Sequence, residues 1–266
     1  MLKTRVVTAL FLAAGFLAVL FLLPDTLVGF VFAVIAALAG WEWAGLMNPG
    51  KAESPVRLLF AALILLLCVA LWVMPDDYSP LLWSLSVFFW LCIAPVWLAR
   101  GWRPGWAGYG LGLVLLVSTW AALTALYAHG PFVLLAVMAL VWVADIAAYF
   151  TGRAFGRHKL APAISPGKTW EGVAGAVVGV LLYGLFVHIF LPGARDWAWL
   201  PFFALLLLLT ALSIVGDLFE SLIKRQANLK DSSQLLPGHG GILDRIDSQI
   251  STLPLAALTL HWLHWI

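Results

Sequence analysis

Apolar residues run through this chain in long unbroken blocks. There is neither the strict alternation of a half-buried strand nor the one-sided stripe of a surface helix. Nine blocks have the length of a membrane span, at about 5–23, 27–47, 57–74, 80–99, 107–127, 131–150, 170–191, 200–223 and 249–266. Each is close to the ~20 residues that an α-helix needs to cross the hydrocarbon core. Turn formers punctuate them: Pro24-Asp25, Asn48-Pro49-Gly50, Pro75-Asp76-Asp77, Gly101 to Gly105, Gly130-Pro131 and Pro192-Gly193. The blocks at 107–127 and 131–150 are joined so tightly that a helical hairpin is expected. The predicted class is all-α, a polytopic integral membrane protein of about nine transmembrane helices with no separate soluble domain. Residues 1–130 carry few polar groups and read as scaffold helices, whereas the chemistry is expected in 131–266.

Composition agrees. The chain is 63% hydrophobic and 11% charged, where a soluble domain has about 25% charged residues. The formal charge of +2 says little about partners, and no nucleic acid is expected. The distribution of charge says more. With the N-terminus inside, the cytoplasmic side receives Lys3, Arg5, Lys51, Arg57, Arg100, Arg103, Arg153, Arg157, Lys159, Lys168, Lys224, Arg225, Lys230 and Arg245. Of the fifteen Lys and Arg only Arg195 falls outside, which is the asymmetry expected of cytoplasmic loops. The first block follows Lys3 and Arg5 without an A-x-A-like cleavage site, so it is expected to remain as a span. Trp262 and Trp265 would then be outer interfacial anchors. Cys68 and Cys92 lie inside apolar blocks and are expected to be inert packing residues.

Against this background the stretch from Ser213 to Asp247 stands out, with five of the thirteen acids and four of the fifteen Lys and Arg. Ionisable groups at membrane depth read as functional by default. Ser213, Asp217, Ser221 and Lys224 step by four, four and three, which places them on one helix face. Asp244 and Asp247 follow the run Pro237-Gly238-His239-Gly240-Gly241 and open the last span, where the helix dipole favours anions. Together with Asp217 they could hold a hard cation, because Mg²⁺ takes one or two carboxylates plus phosphate oxygens. A third cluster begins with Asp145, Tyr149 and Gly152 and continues through Arg153 and Arg157 to Ser165-Pro166-Gly167-Lys168-Thr169-Trp170-Glu171-Gly172. Its Arg and Lys could clamp phosphates. It is not a P-loop, since the first glycine of that pattern would fall on Pro162. Glu42, a lone acid between Trp41 and Trp43, is expected to meet a structural partner.

The run from Ser221-Leu222-Ile223-Lys224-Arg225 through Lys230-Asp231, Pro237, His239-Gly240-Gly241 and Asp244-Arg245-Ile246-Asp247 resembles the signature of the phosphatidate cytidylyltransferase (CDP-diacylglycerol synthase) family. Asp145, Gly152-Arg153, Gly156 and the 165–172 segment resemble it too, as do the chain length and the nine spans. The resemblance implies the reaction CTP plus phosphatidate to CDP-diacylglycerol plus pyrophosphate. It implies a homodimer in the cell (inner) membrane, with Mg²⁺, an additional monovalent cation such as K⁺, and metal binding at Asp217 and Asp244.

The resulting expectation is that Asp217, Asp244, Lys224, Arg245 and Asp247 carry catalysis on the cytoplasmic side, Asp247 supporting the metal. Asp145, Arg153, Ser165, Lys168, Thr169, Glu171, Ser221, Arg225, Lys230, Asp231, His239, Gly240 and Gly241 are expected to bind substrates. An ion-coupled transporter would also carry acids at membrane depth, but it needs them accessible from both sides, and here they gather near one face. A CTP-dependent lipid kinase would use the same carboxylates and differ in its product.

Overall fold

A computed structural model describes residues 2–48, 54–74, 77–191 and 194–263, with side chains from residue 7 onward. Lys51, Trp265, the side chains of Lys3 and Arg5, and the turn residues Pro49, Gly50, Pro75, Asp76, Pro192 and Gly193 lie outside the described residues. The helices are α1 (Leu2–Leu22), α2 (Asp25–Met47), α3 (Pro55–Val73), α4 (Ser79–Phe88), α5 (Ala94–Arg100), α6 (Ala107–Ala128), α7 (Pro131–Phe155), α8 (Trp170–Phe190), α9 (Trp199–Gln226) and α10 (Leu243–Trp262). A π turn, Phe89–Ile93, joins α4 to α5 in one span. Among the described residues seven helical segments are long and apolar enough to cross a membrane: α2, α3, the α4–α5 segment, α6, α7, α8 and α9.

The expected first and last spans correspond to α1 and α10, which are not among these seven. Helix α1 is 21 residues long, with side chains described from Val7 onward. Helix α10 is more polar because protein surrounds it. Ser248, Gln249, Ser251 and Thr252 are buried, and it packs against α9, α6 and α4. A helix lined by other helices can bond its polar side chains to them instead of to lipid: Ser251 Oγ donates to Leu212 O at 2.8 Å, and Gln249 Nε2 to Met138 O at 3.3 Å.

The most extensive helix pairing is α7 with α8. Small residues allow it: a methyl at Gly175 would collide with Thr151, and one at Gly179 would press on Ala147. The structure departs from an all-helical chain between these two helices. Lys159–Ala161 (β1) and Ser165–Thr169 (β2) form a short antiparallel hairpin. Pro162 and the Pro166-Gly167 pair disfavour helix here, so the backbone groups pair across the hairpin. Cys68 is buried, whereas Cys92 lies exposed on the outside of the π turn, not in packing as expected.

Candidate active site

Helix α9 carries charge to two separate places. The sequence predicts one face for Ser213, Asp217, Ser221 and Lys224, but the structure divides it. Ser213 and Asp217 line a cavity of about 420 Å³ between α7, α8, α9 and the hairpin. Lys224 turns away from it. Its Nζ sits 2.6 Å from Glu220 Oε2, one turn back on α9, and 2.6 Å from Asp244 Oδ1 on α10. Side-chain exposure at this triad is only 10% for Lys224, 5% for Glu220 and 3% for Asp244.

Asp244 accepts from protein donors at both oxygens. Beyond Lys224 at Oδ1, its Oδ2 accepts from Gly241 N and Ser232 N, each at 2.8 Å, and lies 2.9 Å from Ser232 Oγ. Behind this network stands Glu42 of α2, fully buried. Its Oε1 accepts from Ser233 Oγ at 2.6 Å and Ile242 N at 3.0 Å, and its Oε2 from Leu243 N at 2.6 Å, with Ser232 Oγ at 3.1 Å. The glycine run serves the same packing. Gly240 takes φ +79, which favours glycine. A methyl on Gly241 would overlap both Ser232 Oγ and the Glu42 carboxylate.

The cavity holds the other cluster. Asp145, Tyr149, Arg153, Ser165, Lys168 and Thr169 line it with Ser213 and Asp217. Lys168 Nζ, on β2, pairs with Asp217 Oδ2 at 2.5 Å, and Ser221 Oγ donates to Asp217 Oδ1 at 3.2 Å. Arg153 donates to Tyr149 Oη at 3.0 Å, and Thr169 caps α8 by accepting from Gly172 N at 3.1 Å. Asp145, Asp217 and Asp247 lie within electrostatic reach of one another, with Lys168 and Arg245 as countercharges near Asp145. Acids from α7 and α9 therefore line a partly open space, and Asp247 of α10 lies near them.

Several expected residues sit elsewhere. Glu171 does not line the cavity; its carboxylate meets His158 Nδ1 at 2.6 Å and fastens the segment before β1. Arg225 bonds Leu229 O at 3.2 Å and Ile164 O at 3.4 Å, tying α9 to its following loop and to the hairpin turn. Lys230 and Asp231 are exposed in that loop. His239 lies near its end, with a buried Nδ1 that has no hydrogen-bond partner among the described residues. Asp244 does not share the cavity with Asp217. Sequence reasoning placed Ser213 beside Asp217 but missed Ser232 and Ser233 as site residues. The signal for the two serines was their place in a charged loop beside a lone buried acid, but only the fold joins residues 42 and 232.

The arrangement fits a divalent cation at one cluster and not at the other. Among the described residues no three His, Cys, Asp or Glu side chains stand close enough together to enclose a metal ion. Such a site needs ligands from a substrate, as Mg²⁺ sites on phosphates do. Asp145 and Asp217 present carboxylates to the cavity with Asp247 near them, whereas both oxygens of Asp244 already accept from nitrogen or hydroxyl donors.

Fold and site together define a polytopic helical membrane protein with a partly open charged cavity suited to multiply anionic ligands. The chain belongs to the cytidylyltransferase family, whose pattern matches residues 3–263. Phosphatidate cytidylyltransferase of Pseudomonas aeruginosa is 40% identical, over 100% of this chain and 99% of its own. The enzymes of that name from Haemophilus influenzae and Thermotoga maritima are 36% and 32% identical. Each alignment covers 96% of this chain, and 96% and 94% of the relative respectively.

Proposed function

We infer that this chain is a nucleotidyltransferase of phospholipid biosynthesis that converts CTP and phosphatidate into CDP-diacylglycerol and pyrophosphate. The observation that carries the reading is the full-length likeness to relatives bearing that name. In the reaction a phosphate oxygen of the lipid attacks the α-phosphorus of CTP. A new P–O–P bond forms, the bond from the α-phosphorus to the bridging oxygen breaks, and pyrophosphate leaves with that electron pair. The attacking oxygen is already ionised near neutral pH, so no general base is required. What the protein must overcome is repulsion between two polyanions.

The residues divide this task. Lys168 and Arg153 on the cavity wall receive the triphosphate, and Lys168 exchanges its pairing with Asp217 for a phosphate oxygen. Arg245 adds positive charge beside Asp145. Ser221 keeps Asp217 oriented. Asp217 with Asp247, and Asp145 beside them, would hold Mg²⁺, which supplies Lewis-acid neutralisation of phosphate charge; Asp244 would join only after releasing Lys224. A monovalent cation such as K⁺ would take up remaining charge of the same cluster. Lys224 fixes the α9–α10 contact rather than meeting substrate.

The reading places this cavity on the cytoplasmic side of the inner membrane, in a bundle of nine spans with the N-terminus inside. Fourteen of the fifteen Lys and Arg on one side support it. A homodimer belongs to the same reading and is tested by the mass of the detergent-solubilised protein. The decisive experiment incubates purified protein with phosphatidate, Mg²⁺ and CTP labelled in the cytidine. Label in lipid with release of pyrophosphate is expected. Free labelled CDP would indicate a kinase instead, and absence of lipid-borne label would overturn the reading.

A further inference from the structure

Glu42 belongs to the half of the chain that reads as scaffold, yet it makes four hydrogen-bond contacts with residues 190 to 201 positions away. It does not line the cavity. Its partners are two serines of the loop between α9 and α10 and the first amides of α10. Ile242, at the N-cap position of α10, has no side chain able to accept from these amides. A helix start leaves such donors unmet and carries partial positive charge. Glu42 meets both needs from another helix. Ser232 Oγ stands between Glu42 and Asp244, and its single proton is shared by the two carboxylates. The chain of contacts thus runs Glu42, Ser232, Asp244, Lys224, Glu220.

We propose that Glu42 is a positioning residue for cytidylyl transfer: it clamps the loop and the start of α10, and so sets Asp244 against Lys224 and Asp247 beside Asp217. Gly241 supports this independently, since any side chain there would expel the Glu42 carboxylate. The inference rests on the proposed reaction, but half of its test does not.

Glu42→Gln keeps the volume and replaces one acceptor oxygen by a donor. That NH₂ faces either Leu243 N and Ser232 Oγ or Ile242 N and Ser233 Oγ. In the purified variant kcat is expected to fall about 10- to 100-fold, as for an ångström-scale displacement, while KM for CTP stays within about threefold. Ser232→Ala should lower kcat similarly, and the double variant should be no worse than the poorer single one. A kcat per folded molecule within about threefold of wild type, or additive losses, would overturn the proposal. Ser232→Ala carries the same expectation if the glutamine variant does not fold. Hydrogen exchange supplies the arm that is independent of the reaction. Amides of Ile242 and Leu243 should exchange faster in Glu42→Gln than in wild type. Unchanged protection overturns the clamp, whether or not the wild type makes CDP-diacylglycerol.

Discussion

Lys224→Met removes the single cation that two buried carboxylates share. Breaking one partner out of a buried ion pair costs about 3–5 kcal/mol, because a charge is left desolvated and unmatched. The geometry puts this case toward the upper end. Asp244 keeps three donors at Oδ2 and loses only the one at Oδ1. Glu220 loses everything: Lys224 is the hydrogen-bond partner of Oε2, and Oε1 is already buried without one among the described residues. At roughly 2–4 °C per kcal/mol for a chain of this size, the unfolding midpoint should drop by on the order of 10 °C. Heating the purified protein in detergent and following tryptophan fluorescence measures it. The geometry also names the cure. Lys224→Met combined with Glu220→Gln should recover much of the loss, since glutamine carries no charge to strand. A methionine variant within about 1 kcal/mol of wild type would refute the reasoning. So would a double variant as unstable as the single one.

Three further changes probe the cavity and the loop. Asp217→Asn should abolish lipid labelling while leaving the unfolding midpoint near wild type, because Asp217 is 29% exposed in a partly solvated ion pair; an active asparagine variant would remove Asp217 from the metal proposal. Lys168→Met should raise KM for CTP by about tenfold or more through loss of one charge-assisted phosphate contact, and an unchanged KM in a titration of initial rate against CTP would count against that contact. Gly241→Ala should destabilise by about 1–3 kcal/mol as the methyl forces Glu42 or Ser232 aside, measured in the same fluorescence melt.

The helical plan was legible because length and apolarity alone specify a span, and the seven long apolar helices fall where the blocks do. Helix α10 shows the limit. Its polar residues looked like chemistry at the start of an ordinary span, but they are buried among neighbouring helices, a fact about neighbours and not about the sequence of the helix itself. The same holds for the stripe on α9. Periodicity put Asp217 and Lys224 on one face, but a face is wide enough to serve two environments, and the position of Asp244 on α10 draws Lys224 away from the cavity. The hairpin 159–169 was hidden because three- and five-residue strands are too short to impose a pattern. Glu42 was visible as a lone acid with a structural partner to be found. Its partners could not be identified, since nothing local in the sequence links α2 to the start of α10.

The two acid clusters differ in a way that bears on how a membrane enzyme tolerates so many carboxylates. Around Asp244 the charges are closed off: Lys224, two serines and four backbone amides satisfy Glu42 and Asp244 with no ligand required. Such a network gains from burial only when complete, because each unmet group in a low dielectric is expensive. Around Asp217 the accounts stay open, with two acids facing a cavity, Asp247 near them, and lysine and arginine at its edge. An open cluster is a poor way to hold helices together and a good way to attract a cation and the phosphates that accompany it. The closed cluster holds α2, α9 and α10 in register, so the open one need not supply that rigidity. It follows that substitutions in the closed set should be read first in stability or kcat, and those in the open set in KM and metal dependence.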